Sequence, residues 1–276
     1  ICDSLIDDRG DVNMNGIDYE IGDAVMFTNY FIIGPAAFGD HIEGSTAASD
    51  ANADGYTLTV ADLVYMIRVI QGDALEYPKP APGALFEVVS QGNTVTMNTS
   101  EDAGAALLVF NVDGTVGAPT VNNGMNVEYG FENGELRVLV YNIGDNALTS
   151  GTELTLDVTG SVELVEVEAA TFAGAVMEAS VRNLPTAYDL AQNYPNPFNP
   201  TTTIRLALPA ASDFALEIYN IAGQKVRTFN GAAEAGTLEI VWDGKDASGS
   251  TVASGVYFYK VVAGQFSATK RMVMLK

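Results

Sequence analysis

The apolar and polar positions fall into three regimes along the chain. In residues 1–78 apolar side chains recur at helical spacing in two short runs. One is Ala24-Val25-Met26-Phe27-Thr28-Asn29-Tyr30-Phe31-Ile32-Ile33, stopped by Gly34-Pro35. The other is Leu63-Val64-Tyr65-Met66-Ile67-Arg68-Val69-Ile70, stopped by Gly72. Each is too short to be a stable helix alone, so the two are expected to pack together. The insert 36–49 between them is small and polar and reads as a flexible loop carrying a solvated His41. In residues 84–181 the period drops to two. Strands are expected at 86–89, 94–97, 105–111, 126–131, 136–141, 153–158, 162–168 and 175–181, with Gly, Asn and Asp clusters between them. Residues 184–276 again read as short strands, at 203–208, 215–219, 224–229, 238–242, 256–262 and 265–275. They follow Asn193-Tyr194-Pro195-Asn196-Pro197-Phe198-Asn199-Pro200, where proline forbids helix and holds an extended edge.

Both helical runs are launched from the same kind of loop. Asp11-Val12-Asn13-Met14-Asn15-Gly16 and Asp50-Ala51-Asn52-Ala53-Asp54-Gly55 put oxygen-bearing side chains at alternate positions and then a glycine. Asp23 and Asp62 close the two loops. Asp11, Asn13, Gly16, Asp23 and Val25 all recur 39 residues later, as Asp50, Asn52, Gly55, Asp62 and Val64. A hard cation such as calcium takes six to eight oxygens, and a glycine turn lets a later backbone carbonyl point inward. Such residues also make turns with no ion, since Asn, Asp and Gly form Asx-turns unaided.

The repeat resembles a dockerin, the two-loop calcium module that plugs into cohesin receptors. The resemblance covers roughly the first 70 residues. It implies two calcium ions, with Asp11, Asn13, Asn15 and Asp23 as side-chain ligands in the first loop and Asp50, Asn52, Asp54 and Asp62 in the second. The carbonyls of Ile17 and Tyr56 would add the backbone ligands. The closing Asp stands at loop position thirteen, one later than the usual twelve, in both repeats. Asn15 replaces a common Asp, so weaker binding is expected in the first loop.

Charge sharpens the division of the chain. Its 276 residues carry a net charge of −22. Residues 1–78 hold 14 acids against two bases, residues 84–181 hold 14 against one, and residues 184–276 hold 7 against 8. No clustered basic face exists, which excludes a nucleic-acid footprint. Pro78, Pro80 and Pro82 form a stiff spacer. The expected architecture is multidomain and mainly β: a small all-α calcium module at 1–78, a linker at 79–83, a β-sandwich or jelly roll at 84–182, and an Ig-like β-sandwich at 183–276. Cys2 is the single cysteine, so no intrachain disulfide is possible. No apolar run approaches eighteen residues, so no transmembrane segment is expected. The chain begins at Ile1 without an initiator Met, which reads as a processed product or the C-terminal piece of something longer.

The middle strands, especially Ala105-Ala106-Leu107-Leu108-Val109-Phe110-Asn111 and Leu136-Arg137-Val138-Leu139-Val140-Tyr141-Asn142, are similar to the core strands of a cohesin; a generic Ig-like or carbohydrate-binding sandwich is the alternative. The last block, from the Asn-Pro-rich stretch through Gly255-Val256-Tyr257 to Lys270-Arg271-Met272-Val273-Met274-Leu275-Lys276, resembles the type IX secretion C-terminal sorting domain, the Por secretion tail. That resemblance implies export across a Gram-negative outer membrane by the type IX machinery, to the cell surface or beyond.

No Gly-x-Ser-x-Gly, His-Glu-x-x-His or phosphate loop is present, and His41 is the only imidazole, so the chain reads as a non-enzyme. The leading functional expectation is a secreted structural or assembly protein. Its partners would be cohesin- or dockerin-like modules, including other copies of itself joined head to tail into filaments. The short spacer is expected to keep each module off its own neighbour, with the plug surface around Met26, Tyr30, Tyr65 and Arg68. The alternatives are the attachment and export tail of a longer secreted hydrolase, and a carbohydrate-binding module.

Overall fold

The computed structural model describes residues 9–74, 83–142, 144 and 146–275. The chain divides into two compact units, Ile1–Asn183 and Leu184–Lys276. The proline spacer at 78–82 lies outside the described residues.

Unit 1 begins with helices α1 (Ile21–Ile33), α2 (Ile42–Ala48) and α3 (Val60–Gln71), with a short 3₁₀ helix, Gly34–Phe38, after α1. Nine strands follow: β1 (Leu85–Gln91), β2 (Thr94–Thr99), β3 (Ala103–Val116), β4 (Thr120–Val121), β5 (Asn126–Glu132), β6 (Glu135–Tyr141), β7 (Thr152–Thr155), β8 (Val158–Thr171) and β9 (Glu178–Asn183). They form two sheets, ordered β4-β7-β2-β1-β9 and β5-β6-β3-β8. All pairings are antiparallel except β1 with β9. Between the sheets, Phe86, Val88, Val95, Met97, Leu108, Phe110, Leu136 and Val138 make the sandwich core.

Helices α1 and α3 lie on the outer face of sheet β5-β6-β3-β8. Phe27, Phe31, Leu63 and Met66 share one core with Ala105, Leu107 and Val109 of β3, Leu139 of β6 and Ala170 of β8. This explains the unbroken apolar run in β3. Ala106, Leu108 and Phe110 face the sandwich interior, and the residues between them face the helices, so the strand is buried on both faces. Each large apolar side chain so buried contributes about 1.5–3 kcal/mol.

The seat corrects three expectations. The helical segment is not a separate module held off its neighbour: it closes onto the sandwich of its own chain. Nine residue steps separate Ala74 from Gly83, enough for about 30 Å of extended chain, so the spacer is long enough to return. The expected plug surface is therefore occupied. Met26 and Tyr30 pack onto the shared core, Tyr65 is buried, and the Arg68 guanidinium lies 5.9 Å from the Phe172 ring centroid. The insert 36–49 is not a loop either. It holds the 3₁₀ helix and α2, and Phe38 is buried with its ring stacked on Tyr30 at 5.2 Å. Finally, residues 21–38 do reach spanning length and hydropathy (18 residues, mean hydropathy 1.2). In the structure that stretch is α1 plus the 3₁₀ helix, with Asp23, Phe27, Phe31 and Phe38 buried in protein.

Strand edges shift as well. The stretch 153–158 is broken between β7 and β8, and β9 starts at Glu178 rather than 175. A bulge opposite Val109 and Phe110 leaves Val165 exposed, so the simple in-out alternation along 163–168 fails there.

Unit 2 contains β10 (Asp189–Leu190), β11 (Thr202–Leu208), β12 (Ser212–Asn220), β13 (Lys225–Ala233), β14 (Gly236–Trp242), β15 (Gly255–Ala263) and β16 (Phe266–Met274). Its sheets are ordered β10-β11-β14 and β13-β12-β15-β16. Trp242, Tyr259, Leu206 and Ile218 fill the space between them. The Asn-Pro stretch contributes Phe198 to this core, 5.5 Å from the Trp242 ring. Buried Asn193 anchors it: its backbone N–H donates to the Tyr259 hydroxyl and its amide to Thr202 Oγ1, both at 2.9 Å.

Candidate metal centre

The two loops repeat in conformation as well as in sequence. Met14 and Ala53, and again Tyr19 and Leu58, have positive φ, as do Gly16 and Gly55. Non-glycine residues adopt that region at a cost of about 1 kcal/mol or more, so four such positions spaced 39 apart mark a built turn. The hydrogen bonds repeat too. Asn13 Oδ1 accepts from the N–H of Asn15, as Asn52 Oδ1 does from Asp54 (both 3.0 Å). Asn15 Oδ1 accepts from Ile17, as Asp54 Oδ1 does from Tyr56. Asp11 and Asp50 accept from Gly16 and Gly55. The loops also touch one another through the Tyr19 hydroxyl to the Ala51 carbonyl (3.2 Å), and just before them Gly10 N–H donates to the Ala48 carbonyl at the end of α2 (2.9 Å).

The acids at position thirteen cap helices. Buried Asp23 accepts from the backbone N–H of Asn13 (3.0 Å) and of Glu20 (2.9 Å). Buried Asp62 accepts from the N–H of Asn52 and Thr59 and from the Thr59 hydroxyl. Each thereby satisfies donors at the entrance of α1 or α3. Burial pushes both carboxyls upward, Asp62 to about 7, against the pull of these bonds.

In the first loop Glu20 takes a place the sequence did not assign. Its Oε1 accepts from Asn13 Nδ2 at 2.8 Å and also from Asn15 Nδ2, so three side chains converge on one point. The only hint in sequence is its position three residues before Asp23. Threonine stands at the equivalent position of the second loop, Thr59. There Asn52 turns its amide to Asp54 Oδ2 and to the Gly174 carbonyl of the sandwich, each at 3.1 Å.

Among the described residues, no group of three or more His, Cys, Asp or Glu side chains is gathered closely enough to hold a metal. Asp50, Asp54 and Asp62 therefore do not converge, and any cation in either loop would depend on Asn oxygens and on the exposed Ile17 and Tyr56 segments for carbonyls. The first loop fits a hard cation better. There the Glu20 carboxylate adds a charged oxygen donor beside Asn13 and Asn15.

The second loop is tied to the sandwich at its helix entrance. Glu168 Oε1 of β8 accepts from the Val60 N–H at the first turn of α3, at 2.5 Å. Burial pushes Glu168 up to about 7, with Glu166 adding to the rise and the Val60 bond and Arg137 opposing it. Three sandwich glycines make room for the helices. A Cβ on Gly104 would meet Val64 at 2.8 Å, one on Gly130 would meet Ile32 at 2.7 Å, and one on Gly174 would meet Tyr65 at 3.0 Å.

A family model for the FlgD Ig-like domain matches residues 196–266, within unit 2. No curated protein matches the chain. Among solved structures it is similar to PorZ of Porphyromonas gingivalis, described as an essential surface component of the type IX secretion system. The identity is 26% over 31% of this chain and 11% of that one, with a TM-score of 0.24. It is similar to dimeric latent PorU of the same organism at 10% identity, over 69% and 32% of the two chains, with a TM-score of 0.28. It is also similar to a non-cellulosomal cohesin of Archaeoglobus fulgidus at 11% identity, over 38% of this chain and 91% of that one, with a TM-score of 0.27. The aligned part thus spans about a tenth of PorZ and a third of PorU.

Proposed function

We propose that this chain is a secreted, non-enzymatic attachment protein of a Gram-negative cell surface, in which a dockerin-like calcium element is seated on a cohesin-like sheet of the same chain. The observation that carries the reading is the pair of repeat-related loops leading into α1 and α3, the two helices that cover sheet β5-β6-β3-β8. Calcium would supply a fixed positive charge at each loop. In the first loop Asp11, Asn13, Asn15, Glu20 and the Ile17 carbonyl would hold it. In the second Asp50, Asn52, Asp54 and the Tyr56 carbonyl would do so more weakly, since Thr59 replaces the glutamate. Asp23 and Asp62 then act by fixing each loop to its helix. Unit 2 serves as the type IX secretion address.

On this reading the seated helices occupy the surface that a head-to-tail filament would use. Assembly with other copies, or with a cohesin- or dockerin-like partner, requires that seat to open.

Calorimetric titration of calcium into the full-length protein tests the ion. Extracellular calcium modules bind at roughly 10⁻⁴ to 10⁻³ M. Glu20→Ala should abolish the tighter of two binding events, while Asp50→Ala should abolish the other. No heat of binding, together with an EDTA-insensitive melting temperature for unit 1, would overturn the calcium reading. Deleting residues 184–276 should leave the protein in the periplasm; unchanged delivery to the surface would overturn the export reading.

A further inference from the structure

The seat of the helices creates a slot that neither part possesses alone. It lies between the first turns of α1 and the last turns of α3, with a volume of about 470 Å³. Ile21 and Val25 form one wall, Ile67 and Ile70 the other, and Tyr141 of β6 and Glu128 of β5 close it from the sheet. Its lining is mainly apolar, interrupted by Thr28, Asn29 and Gln71, and Glu128 is the charged side chain that lines it. Ile21 and Val25 remain 72% and 55% exposed, so the helix wall continues outward as an apolar strip. Among the described residues Glu128 has no cationic partner. It lies close enough to Tyr141 to help burial raise that hydroxyl's pKa.

Charge selects among the occupants such a slot could take. Unit 1 carries 28 acids against five bases. Unit 1 of a second copy would bring the same acidic surface and its unit 2, with 7 acids against 8 bases, almost no net charge, and an anionic lipid surface would be repelled. A cationic partner meets attraction at long range and the exposed carboxylate of Glu128 where it lines the slot.

We propose that the slot is a docking site for a basic, apolar peptide segment of another protein, whose aliphatic side chains fill it and whose Lys or Arg pairs with Glu128. Because α1 and α3 supply two walls and the sheet a third, the site is complete only when the helices are seated. Occupancy therefore favours the seated state.

The test uses full-length protein, near-physiological salt and millimolar calcium. The probe is a fluorescent peptide of leucine and lysine, roughly 14 residues long, with leucines at helical i, i+3, i+4, i+7 spacing; a leucine–glutamate peptide of the same pattern is the control. Fluorescence anisotropy should show binding of the first and not of the second. Glu128→Gln should weaken binding about fivefold, the loss of one solvent-exposed ion pair. Val25→Lys, at an exposed position, should weaken it at least as much. Glu153→Gln removes the same charge from the other sheet and should change binding less than about twofold. Equal effects of Glu128→Gln and Glu153→Gln would show general charge attraction and overturn the site. So would equal binding of the acidic peptide, no binding of the basic one, or a dimer in light scattering that Val25→Lys dissolves.

Discussion

Glu168 is a carboxylate on a β-strand that, on a bare sandwich, would stand in water. Here it meets the first N–H of α3, and burial raises its pKa to about 7 against an ordinary value near 4.5. The folded protein therefore keeps a proton that the unfolded chain has released between about pH 4.5 and 7. Unit 1 should lose stability as pH rises through that window, by on the order of 3 kcal/mol, with the loss complete above about pH 7. Glu168→Gln keeps an acceptor for Val60 and removes the titration, so its stability should be flatter with pH. Asp62 titrates in the same window. Denaturant melts from pH 5 to 8 on Glu168→Gln and on Asp62→Asn, each in calcium, separate the two. A Glu168→Gln profile as steep as that of the unmodified protein in calcium would refute the assignment. Glu20 makes the complementary point. Its place three residues before Asp23 is the one hint in the spacing, and only the fold brings it to Asn13 and Asn15.

At the scale of elements, α1 and α3 are apolar runs legible from their helical spacing, α1 so apolar that Ile21, Val25 and Ile33 stay exposed. Their partner was not. Glycine at 104, 130 and 174 is what lets the helix backbones approach the sandwich. Gly130 is the cleanest test, since a side chain there would strike the Ile32 side chain at 2.7 Å and its carbonyl at 2.9 Å. Gly130→Leu should cost about 1–3 kcal/mol of unit 1 stability, the usual penalty for overpacking. Scanning calorimetry should show the unit 1 transition move down and the unit 2 transition stay in place. A Gly130→Leu protein as stable as the original would mean that α1 does not sit where the structure puts it. The doubly apolar run of β3 was the readable clue that its outer face is covered, because a strand with one face in water alternates.

For the whole molecule, the proposed function makes the seat the choice between closed monomers and open chains. With the helices seated, the protein in millimolar calcium should be monomeric by light scattering across concentration. Gly130→Leu, which loosens the seat, should uncover the sheet and give concentration-dependent oligomers. Added salt should favour them by screening the acidic surface of unit 1. Monomers from both proteins under all conditions would leave the sheet without a role in assembly between copies.

Much of this was written locally. The 39-residue repeat, the turn glycines, the helix stops and the strand period each depend on residues a few positions apart, so one-dimensional reading finds them. Sequence also located the acidic bulk of the chain and the neutral C-terminal block. What tertiary structure alone decided is where the helices rest and what the loop acids do. The contacts responsible join Asn52 to Gly174, 122 residues away, and Val60 to Glu168, 108 residues away. No local period encodes such pairs. They form because two apolar helix faces and one apolar sheet face lie on the same chain, within reach of the spacer, and burying them together removes more apolar surface from water than leaving each exposed.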